Sequence, residues 1–85
     1  MQPDARQIEP YTKREREHAE LMFGPFRSTH EGYGVLCEEV DELLQAIRAN
    51  DAVSVFTEAV QVAAVSQRIA ECVTLESSKK RSGME

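Results

Sequence analysis

With only two cysteines, four glycines and three prolines in 85 residues, this chain lacks the raw material for several familiar kinds of protein. Cys37 and Cys72 lie far apart and each falls in a helical pattern, which is neither a disulfide framework nor a zinc spacing. Both read as reduced, mostly buried thiols of a cytosolic protein. No run is long and apolar enough to cross a membrane, and residues 1–10 are too polar for a secretory signal. A GxxxxGK[ST] phosphate loop is missing, which excludes a P-loop enzyme. Ser-His-Asp or Cys-His catalysis has no supporting spacing. Positive charge is short as well. The net charge of −5 argues against a nucleic-acid backbone as partner and suits a protein that gathers divalent cations. The only basic cluster, Lys79-Lys80-Arg81, lies in a segment rich in Ser and Gly. There is no internal repeat.

What is present reads as helix throughout. The length allows one domain with a modest core, so association with a second copy is expected. Residues 1–9 lack periodicity and read as a mobile N-terminus, residues 10–75 as a single helical domain, and residues 76–85 as a disordered tail. A first helix is expected from about Pro10 to Thr12 onward, with Thr12 as cap. Its apolar stripe, through Ala19, Leu21, Met22 and Phe23, is thin, and Gly24-Pro25 ends it. Ser28-Thr29-His30-Glu31 reads as a capping box that opens a second helix, running to about Ala49. Tyr33, Leu36, Cys37, Val40, Leu43, Leu44 and Ile47 fall on one face of it, roughly 120° wide and centred on Val40. Asn50 suits a left-handed turn, and Asp51 can cap the next helix. That third helix is expected from about Ala52 to Leu75. It is apolar nearly all round, which implies burial on more than one side and, in so small a protein, a partner chain. The fold class is all-α.

The chemistry-bearing residues are acidic. Glu38-Glu39-Val40-Asp41-Glu42 puts a dense group of carboxylates on the second helix. Glu58, in Glu58-Ala59-Val60-Gln61, is a lone carboxylate inside the most apolar segment. With Val40 at the centre of the core face, Glu38 and Glu42 point away from it, while Glu39 lies about 100° to one side. A solvated acidic face is the ordinary explanation of such a run. On the third helix, however, Glu58 shares the apolar stripe of Val55, Val62, Ile69 and Val73, with Gln61, Val65 and Arg68 along one edge. A carboxylate there needs a partner. An ion pair with Arg14 or Arg16 would serve. So would a hard cation such as Mg²⁺, with Mn²⁺ as substitute, shared by Glu39, Glu42 and Glu58 where the two helices pack side by side.

These residues resemble a known family. Glu-Glu-x-x-Glu, a gap, then Glu-x-x-Asp is the signature of MazG-like all-α nucleoside triphosphate pyrophosphohydrolases. Residues 38–42 fit the first half, and Glu58-Ala59-Val60-Gln61 fits the second half except at its last residue. The phrases His30-Glu31-Gly32-Tyr33-Gly34-Val35-Leu36 and Glu58-Ala59-Val60-Gln61-Val62-Ala63-Ala64 also look like small MazG-like proteins of phage and bacterial origin. The resemblance spans residues 20–73. It implies a four-helix bundle formed through homo-oligomerisation, as a dimer or tetramer, in the cytoplasm of a bacterium or phage-infected host. It also implies Mg²⁺-dependent hydrolysis of a nucleoside triphosphate to the monophosphate and pyrophosphate in nucleotide-pool control, with a purine deoxynucleotide the expectation from the phage-like phrasing. Glu39, Glu42 and Glu58 would be metal ligands. Glu38 would orient or deprotonate the attacking water, or share in metal binding. Gln61 stands where the family has aspartate. Either a water or another acid (Asp41 or Glu31) substitutes there, or Gln61 contacts the nucleotide.

Other residues have two readings each. His30 is a surface or capping residue, or a base or phosphate contact. Tyr33 is a core residue or a base-stacking one. Arg68 is exposed or ion-paired, or binds a phosphate. Gly32 and Gly34, unfavourable in a helix by up to about 1 kcal/mol each relative to alanine, allow close approach of a helix or of the nucleotide. Two other functions compete: a non-catalytic helical dimer acting as adaptor, and a hydrolase of another phosphorylated metabolite of the phosphoribosyl-ATP type.

Overall fold

The structure, a computed structural model, describes residues 7–83, and side chains through residue 74. Among these residues the chain is all-helical, with α1 (Ile8–Phe23), α2 (Thr29–Arg48), α3 (Ala52–Gly83) and no strand. Residues 1–6 of the expected mobile N-terminus and residues 84–85 of the expected tail lie outside the described residues.

Each helix boundary has a local cause. α1 starts at Ile8, ahead of the expected position, because Pro10 is accommodated in the first turn, where its missing N–H is no loss. Thr12 is therefore not a cap. It lies one turn inside the helix, buried, and its hydroxyl donates to the Ile8 carbonyl at 3.4 Å. α1 stops at Gly24, whose φ of 73° is open to glycine without a Cβ penalty. At the start of α2, Ser28 Oγ accepts from the Glu31 N–H at 3.1 Å. The Glu31 carboxylate reaches back to the Arg27 N–H at 2.7 Å, one residue beyond the usual capping-box partner. Asn50 takes φ 55° between α2 and α3. The Asp51 carboxylate caps α3, accepting from the Ser54 N–H and hydroxyl at 3.2 and 2.8 Å. These bonds hold the Asp51 carboxyl below its ordinary range. α3 runs on to Gly83 instead of giving way to a disordered tail after Leu75. Residues 76–82 contain no helix breaker and include Glu76, Lys79, Lys80 and Arg81, which are good helix formers.

α3 is the central element. α1 and α2 each pack against it and not against one another. On α3, Val65 and Cys72 form the buried line toward Phe26, Val35 and Leu36, while Val60 and Ala64 are buried on its other side. The inner line thus runs through Val65, and Val62 is only half-buried.

The orientation of α2 differs from expectation. Its inner face is centred on Glu39: Gly32, Val35, Leu36, Leu43 and Ala46 all lie within about 60° of it, and all are buried or half-buried. The helix is rotated by about 100° relative to a Val40-centred core. Glycine and alanine cause this, because they allow the closest approach of α2 to α3. A Cβ at Gly32 would stand 2.6 Å from Ile69 Cγ1 and 3.0 Å from Phe26 Cδ2. At Gly34 nothing lies within 4 Å, so that glycine serves no close approach among the described residues. The rotation leaves Tyr33, Cys37, Val40, Leu44 and Ile47 exposed. Tyr33 is thus not a core residue, and of the two cysteines only Cys72 is buried.

Candidate metal centre

The rotation of α2 carries Glu39 inward against α3, where Glu58 projects from the second turn. One carboxylate oxygen from each of Glu39, Glu42 and Glu58 lies within 4.8 Å of the other two. Oxygens around a single ion can spread at most twice the metal–oxygen distance, about 4.1 Å for Mg²⁺ and about 4.9 Å for Ca²⁺. At the 4.8 Å limit three equally spaced oxygens lie about 2.8 Å from their common centre, against about 2.3–2.6 Å for Ca²⁺ and about 2.0–2.1 Å for Mg²⁺, so the carboxylates must draw together to share one ion.

The electrostatics are those of a site short of positive charge. Glu39 Oε2 is buried and has no hydrogen-bond partner. Burial, followed by the negative charges of Glu42 and Glu58, pushes the Glu39 carboxyl up to about 7. Glu42 is raised as well, chiefly by the charge of Glu58. Neither arginine considered as a counter-ion for Glu58 serves it. Arg14 lies over the Tyr11 ring, 5.6 Å from its centre. Arg16 donates to Gln67 at 3.2 Å and pairs with Glu71 at 3.8 Å. Hard oxygen ligands, mutual repulsion and an orphaned buried oxygen together fit a divalent cation.

A cleft of about 680 Å³ opens beside the cluster, between α1 and α2, with α3 as its floor. Glu39 belongs to both cluster and cleft. Gln61 and Arg68 line the cleft from α3, Glu15 and Phe23 from α1, and Phe26 from the linker. Gln61 Nε2 donates to Glu15 Oε2 at 2.8 Å. Arg68 is 7% exposed. Its guanidinium sits 4.0 Å from the centre of the Phe26 ring, and Nη2 donates to the Gly24 carbonyl at 2.9 Å. Its Nε has no partner.

Of the residues singled out in the sequence, Glu39, Glu42 and Glu58 come together, and Gln61 and Arg68 join Glu39 around the cleft. Glu38 is exposed and outside the three-oxygen group, although its charge adds to the rise in Glu39. His30 is exposed and lines neither cluster nor cleft. Of the two acids considered as substitutes at position 61, Asp41 accepts from Gln45 at 2.9 Å and does not line the cleft, whereas Glu31 accepts from the Arg27 N–H and lines the same cleft as Gln61. Sequence reasoning missed Glu15. It sits in an unbroken charged run on α1, and only the docking of α1 on α3 distinguishes it from its neighbours.

The chain matches no protein-family model, no curated protein and no solved structure, so the MazG-like resemblance rests on the residues of the acidic motif and its flanking phrases.

Proposed function

We propose that this chain is a divalent-cation-dependent nucleoside triphosphate pyrophosphohydrolase, releasing a nucleoside monophosphate and pyrophosphate. The observation that carries the reading is the convergence of Glu39, Glu42 and Glu58 from two helices, with a buried Glu39 oxygen left unpaired. A bound Mg²⁺ would supply neutralisation of the triphosphate charge and a means of holding water in line with the α-phosphorus. The protein's own part is to hold the ion on three carboxylates and to take a proton from the attacking water. Glu38, solvent-facing and adjacent in sequence to the cluster, is the carboxylate left over for that base role. The adjoining cleft has the volume of a small-molecule site, about 300–1,000 Å³. Gln61 and Arg68 line it, Arg68 carrying a positive charge suited to an anionic substrate.

The active form in this reading is a homo-oligomer with a four-helix core made of α2 and α3 from two copies. Tyr33, Cys37, Val40, Leu44 and Ile47 recur at alternating intervals of four and three along α2, the spacing of a helix–helix seam. Tyr33, Val40 and Ile47 are 65%, 48% and 51% exposed. The same open seam favours the competing reading, a non-catalytic helical dimer acting as an adaptor.

Incubation with each of the eight common NTPs and dNTPs plus Mg²⁺, with pyrophosphate release as readout, separates the two. Release abolished by Glu39→Ala and by Glu58→Ala is the expected result. No release from any nucleotide, or release indifferent to both substitutions, rejects the enzyme. An adaptor also predicts a melting temperature indifferent to Mg²⁺, whereas an occupied site raises it by mass action.

A further inference from the structure

Gln61 follows Glu58 by three residues, so the two side chains are neighbours on one face of α3. The same cleft holds two buried polar atoms without partners, Glu39 Oε2 and Nε of the 7% exposed Arg68. Arg68 Nε, a donor, calls for an acceptor such as a phosphate oxygen, and Glu39 Oε2, an acceptor, calls for a cation or a donor. A primary amide has two ends of opposite character, and which end faces a cation decides whether it helps or hinders. Here the choice is forced. The Glu15 carboxylate is acceptor-only when ionised, so the group it holds at 2.8 Å must be the Gln61 NH₂. The carbonyl oxygen Oε1 is then the end of Gln61 left available. Hard divalent cations accept amide carbonyl oxygens as ligands.

We propose that Glu15 is a positioning residue for the cation site, fixing the Gln61 amide so that Gln61 serves as a neutral oxygen ligand one helical turn from Glu58. The inference rests on the cation-site reading above and extends it to α1. The site then comprises three carboxylates and an amide oxygen from α2 and α3, with α1 acting through the amide. A neutral fourth ligand places less negative charge around the ion than a fourth carboxylate. The site therefore repels an incoming triphosphate less, while Glu15 keeps its own charge engaged with the amide N–H.

Mn²⁺ binding to the full chain, followed by calorimetry or by the electron-spin signal of free Mn²⁺, tests this with a two-residue cycle. Glu15→Gln is close to isosteric, but its amide can present either end, so Gln61 is no longer held one way. It is expected to weaken Mn²⁺ binding about tenfold, roughly the loss of one charge-assisted hydrogen bond. Gln61→Ala removes the amide and leaves Glu15 nothing to orient. In that background Glu15→Gln is expected to change the Kd less than about threefold, equivalent to less than about 0.7 kcal/mol. Equal weakening in both backgrounds would show that Glu15 merely holds α1 in place, and no weakening in either would show that it does not act on the site. Either result overturns the proposal. Glu39→Gln is the control for the parent reading. If it abolishes binding while Glu15→Gln does nothing, the cation site stands and the positioning role falls. If wild type and Glu39→Gln both fail to bind Mn²⁺ saturably, both fall together.

Discussion

Glu39 is the residue on which most of the physics converges. Its carboxyl is raised to about 7 by burial and by the charges of Glu42 and Glu58, so between the ordinary carboxylate range and pH 7 the folded chain holds a proton that the unfolded chain has lost. Stability from this group is complete below about pH 4.5 and is lost as the pH rises through about 7. The raised carboxyls of Glu42 and Glu71 act in the same direction. In cation-free buffer the melting temperature should therefore fall between pH 5 and pH 8. The contribution of Glu39 is on the order of 1–2 kcal/mol once solvent screening is discounted. Circular dichroism melts at four pH values measure it. Glu39→Gln should flatten the profile, and saturating Mg²⁺ should flatten it in wild type by discharging the repulsion. A second test at this scale compares two glycines. Gly32→Ala forces a Cβ against Ile69 and Phe26 and should destabilise by about 1–3 kcal/mol despite alanine's better helix propensity. Gly34→Ala meets nothing and should stabilise by up to about 1 kcal/mol. Urea midpoints of the two variants must move in opposite directions.

Among the elements, the junction between α1 and α2 decides the shape of the cleft. Arg68 on α3 clamps this linker twice, by the hydrogen bond from Nη2 to the Gly24 carbonyl and by its stack on Phe26. Cys72, one turn further on, donates Sγ–H to the Phe26 carbonyl at 3.5 Å. The planar guanidinium makes both the stack and the bond, which a lysine ammonium cannot reproduce. Arg68→Lys should then cost about 1–2 kcal/mol, nearly as much as Arg68→Ala, and should speed proteolytic nicking in the 24–27 linker. Limited trypsinolysis with mass analysis reads this out, and a linker no more labile in Arg68→Lys than in wild type would argue against the clamp. Much at this scale was legible in the sequence. Gly24-Pro25, Ser28 with Glu31, and Asn50-Asp51 mark the ends of helices by local chemistry that does not depend on distant contacts. The start of α1 and the end of α3 were less legible. Pro10 is accommodated inside the first turn, and residues 76–82 carry helix formers in a composition that also suits an open tail.

For the whole molecule, the extents of 53 × 25 × 20 Å describe a slab about two helix diameters thick. A slab this thin encloses only a small core, and among the described residues no large side chain is fully buried. On α1, Leu21 and Phe23 are 87% and 78% exposed, and the seam along α2 is open as well. A second copy applied to that seam would remove Tyr33, Val40, Leu44 and Ile47 from water. The protein should thus elute above its monomer mass of 9.6 kDa in size exclusion with light scattering. Val40→Glu together with Leu44→Glu should yield monomers that melt at a lower temperature, because in the proposed oligomer the interface contributes to the stability of each copy. A wild type monomeric at micromolar concentration would remove the four-helix core from the proposal.

What the amino-acid sequence determined by itself was the helical class, the turns between helices, and the presence of acids at the right intervals to meet. These follow from interactions within a few residues of each other, such as periodicity, caps and breakers. The tertiary structure alone decided which way α2 faces. Apolar periodicity favoured Val40, but Gly32 and Ala46 allow the closest approach to α3, and that close approach brings Glu39 to Glu58. It also decided that Gln61 meets Glu15, a pairing between residues far apart in the chain that no local pattern encodes.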